Sequence, residues 1–152
     1  MKLFTGSTIN TPSMLCVEDA LDCLNWVKQV GGIEKTIELS RKNLLVVEKK
    51  IKNSLWLDFL PEEESIRSCT SICLKIKERV LEKYEIDKLK EKMNNMFSFL
   101  EENKIAYDIN SYRDSPLGIR IWCGATIETQ DLELLMNWIE WFYESVKSKI
   151  EN

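Results

Sequence analysis

LGIRIWCGAT, residues 117–126, reads as a short strand closed by a glycine turn. At a period of two, Ile119, Ile121 and Cys123 fall on one side, and Arg120 and Trp122 on the other. One face is thus apolar and the other carries a single guanidinium. Two readings of that arginine stay open. It lies on a half-exposed edge, its stem packed and its head in water, or it holds an anion against the tryptophan.

Two further segments read as strands. RSCTSICLKI, residues 67–76, alternates so that Thr70, Ile72, Leu74 and Ile76 share a face, and IAYDI, residues 105–109, precedes the loop NSYRDSPL. Helical periods fill most of the rest. Thr11 suits an N-cap and Pro12 the first helical position, where its missing N–H costs nothing. Met14, Val17, Leu21, Leu24 and Val27 then recur at spacings of three and four until Gly31 and Gly32 stop the helix. A second helix is expected over 33–53, with Ile33, Ile37, Leu44, Val47 and Ile51 on one face. A third over 86–103 carries Leu89, Met93, Phe97 and Leu100, and a fourth over 129–149 buries Leu132, Leu135, Ile139, Phe142 and Val146. Residues 1–9 show no helical period and are expected to be extended. SLWLDFLPEEES reads as a short extended piece, a proline and an acidic turn.

The order is two helices, strand, helix, strand, strand, helix. It predicts a two-layer α+β domain with a short, mainly antiparallel sheet and helices packed on it. The two N-terminal helices are long for so small a sheet and are expected to reach beyond it to a partner. At 152 residues the chain suits one domain with a real core, and 44% hydrophobic with 30% charged residues is ordinary for a globular protein.

Several function classes are disfavoured. A net charge of −4 and pI near 5.1, with lysines interleaved among acids, argue against nucleic acid as a partner. No apolar run is long enough to span a bilayer, and no signal peptide opens the chain. Five cysteines without a CxxC pair, and no histidine, point to reduced thiols in the cytoplasm and to no metal site. Absence of histidine also removes the commonest general base, leaving Cys123 without a partner as a nucleophile. Trp138, Trp141 and Phe142 form an aromatic stripe best read as core.

Two polar groupings remain. STINTPS sets Ser7, Thr8, Asn10, Thr11 and Ser13 ahead of a helix N-terminus, which suits a phosphate or carboxylate as well as plain capping. SYRDSPLGIR places Arg113 in a loop and Arg120 in the next strand. A pair of forked guanidiniums suits a ligand with two anionic groups. The other reading has Arg113 bridging to Asp114 or Asp108 on the surface.

Taken in order, INTPSMLCVEDALDCLNWVKQVGG, RSCTSICLKI and AYDINSYRDSPLGIRIWCGATIE resemble the C-terminal part of the phosphoserine aminotransferase family, in the variant typical of alphaproteobacteria. The likeness runs from about Thr8 to Trp141. It implies a domain of the pyridoxal 5'-phosphate-dependent, class V, fold type I aminotransferases, usually homodimers. These move an amino group between glutamate and 3-phosphohydroxypyruvate in serine biosynthesis. By that resemblance Asn10 and Thr11 reach the cofactor phosphate of the other subunit, and Arg120 receives the substrate α-carboxylate. Arg113 helps hold the substrate phosphate. Tyr112 stands beside it where the family's more widespread form has histidine. Residues 1–32 are implied to contact a large domain or the dimer partner, the whole of 1–152 being one C-terminal domain. The family's Schiff-base lysine lies upstream of the matched region, and none of the 16 lysines here sits in a context like it. The chain is therefore expected to act as a substrate clamp, to assign no catalytic residue, to hold no cofactor stably alone and not to transaminate alone. Two alternatives stand beside this reading: a stand-alone anion-binding or interaction module, and a class V aminotransferase of different substrate.

Overall fold

The computed structural model describes residues 5, 6 and 10–150, without the side chains of Val146, Ser148, Lys149 and Ile150. Most of the expected extended lead-in, including Ser7 and Thr8, lies outside the described residues, as does the expected burial of Val146. The chain falls into two compact units, Met1–Glu38 and Leu39–Asn152.

In the first unit, α1 spans Met14–Gln29 and α2, Gly32–Asn53, begins. Thr11 is not the cap. Ser13, with extended backbone, accepts from the backbone N–H of Cys16 at 3.5 Å, so Pro12 lies before the helix. The Ser13 hydroxyl takes the capping role, so the helix starts two positions further along than the sequence expectation. Gly31 and Gly32 take φ of 113° and 83°, values open to glycine and costly for other residues, and they separate the two helices as expected. Met14, Val17, Leu21 and Leu24 are exposed, and no residue of α1 is buried.

The second unit is an α+β structure. Its antiparallel sheet has the order β1 (Leu57–Phe59), β2 (Ser71–Ile76), β3 (Gly118–Trp122). Leu57 pairs with Ile76, Leu74 with both Phe59 and Ile119, and Ile72 with Ile121. These side chains form the buried face. Val47 and Ile51 of α2 join them in one cluster, with Leu89, Met93, Met96 and Leu100 of α4 (Ile86–Glu102) and Leu132, Met136 and Ile139 of α5 (Thr129–Ile150). A short helix, α3 (Glu78–Leu81), follows β2. Burying one Ile or Leu side chain contributes about 1.5–3 kcal/mol, against about 0–1 kcal/mol for an exposed ion pair such as Lys35–Glu38. The apolar face therefore determines the fold.

Two sequence expectations about strands need correction. IAYDI is not a strand: Asp108 has φ of 51°, which breaks the extended run, and the segment meets β3 through the Arg120 N–H donating to the Ile109 carbonyl and the bridge between Asn110 and Ile119. The third strand is instead the short extended piece at Leu57–Phe59, with Leu57 and Phe59 buried and Asp58 exposed between them. Pro61, without an N–H to donate, follows soon after. The strand in RSCTSICLKI starts at Ser71, because the Ser68 hydroxyl accepts from the N–H groups of Thr70 and Ser71 and turns the chain there. Trp138 and Trp141 are not core. They pack edge-on at 5.4 Å beside Phe99, with Trp141 exposed. Among the described residues, no helix is long and apolar enough to cross a membrane.

Candidate functional site

β3 presents Arg120 on the face opposite the core, where it pairs in register with Cys73 of β2. Gly118 starts the strand because a Cβ there would collide with the Leu74 carbonyl, so the two backbones can approach only with glycine. The position of Arg120 thus follows from the strand pattern, as expected. Its surroundings do not.

The Arg120 Nη2 donates to the Asp108 carboxylate at 2.8 Å and to the Asp108 carbonyl at 3.3 Å. That bond with Asp108 raises the guanidinium pKa above its ordinary value, desolvation opposing it. The Tyr112 ring lies over the guanidinium at 4.6 Å. Trp122, the aromatic neighbour anticipated from sequence, instead donates its indole N–H to the Thr126 hydroxyl at 3.2 Å. The Arg120 side chain is 19% exposed and its Nε is buried with no acceptor, while the Asp108 side chain is 85% exposed. A buried guanidinium donor without a partner is uncommon, and it marks this arginine as more than a surface charge.

Arg113 lies at the tip of a turn closed by the Ser115 N–H donating to the Tyr112 carbonyl at 3.0 Å. It is exposed and has no hydrogen bond or ion pair among the described residues. The surface bridge from Arg113 to Asp108 considered from sequence is not formed, since Asp108 is engaged by Arg120. Tyr112 and Arg113 are chain neighbours, so the turn that stacks an aromatic ring on one arginine presents the other to solvent. The structure gathers Arg120, Tyr112 and Asp108 into contact and leaves Arg113 at the adjacent turn tip. Asn10 and Thr11 are exposed in the first unit, ahead of α1.

Sequence reasoning missed two residues. Asp108 was weighed only as a partner for Arg113. Asn43 of α2 was not singled out, yet it is 1% exposed and its Nδ2 donates to the carbonyls of Cys123, Gly124 and Ile127. Its Oδ1 accepts from the Thr129 hydroxyl at 2.8 Å. Asn43 thereby pins the turn between β3 and α5. The available signal was a polar residue in the apolar stripe of α2, four before Val47 and eight before Ile51.

The arrangement favours binding over bond-making. Burial pushes the Cys123 thiol up to about 12, so it is no nucleophile at neutral pH. Among the described residues no lysine is buried, and no cluster of His, Cys, Asp or Glu is set to hold a metal ion. A lysine holding pyridoxal phosphate covalently needs an enclosed, desolvated setting, so these residues do not fit that role.

No protein-family model matches the chain. It is 49% identical over 146 residues to the phosphoserine aminotransferase of Methanosarcina mazei and 48% identical to that of Methanosarcina barkeri. Each match covers 96% of this chain, which spans 37% of the length of either relative. A solved structure of phosphoserine aminotransferase from Bacillus circulans subsp. alkalophilus superposes with a TM-score of 0.74 at 18% identity, over 94% of this chain and 36% of that one. That likeness shows the fold.

Proposed function

We propose that this chain, a relative of the C-terminal part of phosphoserine aminotransferases, supplies the substrate clamp of such an enzyme. Arg120 receives the α-carboxylate of phosphoserine and Arg113 its phosphate. The observation that carries the reading is Arg120 itself: a guanidinium fixed on a strand, stacked by Tyr112, with a buried Nε lacking an acceptor. A carboxylate binding side-on to the fork gives that donor its missing partner. Arg113, exposed and unpaired, is the cation free to meet a second anionic group.

Asn10 and Thr11 are carried over from the family as donors to the cofactor phosphate of the other subunit. Pyridoxal phosphate would supply the electron sink for amino transfer, and this chain's residues bind and orient the substrate. On this reading the protein works as a cytoplasmic homodimer or with a complementing N-terminal portion, in the transfer between glutamate and 3-phosphohydroxypyruvate that leads to serine. The chain by itself does not transaminate.

A hybrid enzyme tests this. The corresponding 146 residues of the Methanosarcina mazei relative are replaced by this chain, and turnover is measured with phosphoserine and with serine. The hybrid is expected to turn over phosphoserine. Arg113→Ala is expected to lower kcat/KM for phosphoserine by roughly ten- to a hundredfold more than for serine, the size of one charge-assisted contact. Equal losses on both substrates favour an aminotransferase of different substrate, and a folded but inactive hybrid contradicts the clamp reading.

A further inference from the structure

We propose that Asp108 is a built-in counter-anion of Arg120, which a ligand carboxylate must displace and which therefore sets the affinity of the clamp. This rests on Arg120 being the carboxylate clamp. Four observations carry it.

Asp108 already occupies one donor of the fork. Its carboxylate takes Nη2 at 2.8 Å, while the neighbouring Nε stays buried without an acceptor. A carboxylate gripping the Nε–Nη2 edge bidentately meets an unpaired donor at Nε and, at Nη2, two N–H groups shared between the Asp108 carboxylate at 2.8 Å and its carbonyl at 3.3 Å, so full engagement displaces the Asp108 carboxylate.

The backbone beneath Asp108 is anchored without the ion pair. The Arg120 N–H donates to the Ile109 carbonyl at 2.8 Å, and Asn110 bridges to Ile119. Asp108 has φ of 51°, a conformation that aspartate and asparagine tolerate better than most residues. The carboxylate can swing away while the segment stays on β3.

The displaced group has somewhere to go. The Asp108 side chain is 85% exposed, so turning it into water incurs little desolvation, whereas the Arg120 side chain is 19% exposed and would lose its charge partner without a replacement. The exchange is of one carboxylate for another on a guanidinium that is never left bare.

Tyr112 fixes the plane in which the exchange occurs. Its ring lies at 4.6 Å over the guanidinium and covers one face, so ion pairing is confined to the in-plane N–H groups, where Asp108 now sits.

The test measures binding of O-phospho-L-serine and of inorganic phosphate to the chain by isothermal titration. Asp108→Asn and Asp108→Gly both tolerate the positive φ and remove the competing charge. Each is expected to bind phosphoserine roughly two- to fivefold more tightly than the unaltered chain, the equilibrium equivalent of one solvent-exposed ion pair. Inorganic phosphate, which lacks the carboxylate, is expected to bind all three equally. Phosphoserine affinity that is unchanged, weaker or undetectable in both variants overturns the proposal. Arg120→Gln separates the two levels: lost affinity there with unchanged Asp108 variants sinks only the counter-anion role, whereas unchanged affinity in Arg120→Gln sinks the clamp reading and this proposal with it.

Discussion

The side-chain amide of Asn43, midway along α2, donates to the Ile127 carbonyl at 2.9 Å, 84 residues further along the chain. The same nitrogen serves the Cys123 and Gly124 carbonyls, and the Oδ1 accepts from Thr129. One buried residue thus satisfies the backbone of the turn that ends β3. Asn43→Leu keeps the branched shape but orphans those carbonyls, and is expected to cost about 2–4 kcal/mol. Thr129→Val removes one donor and should cost about 1 kcal/mol. Urea midpoints at constant slope are the check. Equal effects from the two substitutions would mean that Asn43 is not the hub.

Gly118→Ala forces a Cβ against the Leu74 carbonyl in the centre of the sheet. Backbone has to move, and the expected loss is about 1–3 kcal/mol. The strain falls on the β2–β3 pairing that carries Arg120. A thermal melt that stays within a degree or two of the unaltered chain would contradict the close approach.

Burial holds the Cys123 thiol at about 12 against an ordinary 9.0. Above pH 9 the unfolded chain sheds a proton that the folded chain keeps. This group's contribution to stability is therefore full below about pH 9 and declines as pH rises toward about 12. Cys123→Ala should flatten the alkaline side of the stability profile. Alkylation at pH 8 should label the exposed Cys16 and Cys23 and spare Cys123 until the chain unfolds.

The sequence was most legible where one period ran unbroken. β2 and β3 bury Ile72, Leu74, Ile76, Ile119 and Ile121 as alternation expects, with Thr70 half-buried before β2, and α4 and α5 bury Leu89, Met93, Leu100, Leu132, Leu135 and Ile139 of their stripes, with Phe97 and Phe142 partly buried. It misled where a local conformation overrode pattern. Positive φ at Asp108 dissolves an apparent strand in IAYDI, and a three-residue strand at Leu57–Phe59 is too short to show a period. The Trp138 and Trp141 pair looked like core because aromatic spacing does not say which part of a stripe lies past the packed layer. At the site, spacing placed Arg120 on the outer face of its strand. Its ion pair with Asp108, twelve residues earlier, depends on how the intervening loop folds back over β3, which neither period nor spacing specifies.

Arg113 separates binding from folding. It is exposed and unpaired among the described residues, so Arg113→Ala should change stability by no more than about 0.5 kcal/mol. A loss of phosphate affinity in that variant then cannot be ascribed to unfolding. A fall in the melting midpoint comparable to that of Asn43→Leu would show instead that Arg113 is a structural residue.

The most direct test of the clamp is a calorimetric titration of the 152-residue chain with O-phospho-L-serine and with L-serine. The account expects phosphoserine to bind more tightly than serine. Arg113→Ala should abolish that preference, and Arg120→Gln should weaken both ligands by roughly tenfold or more. Equal binding of the two ligands, or affinities indifferent to both arginines, would contradict it.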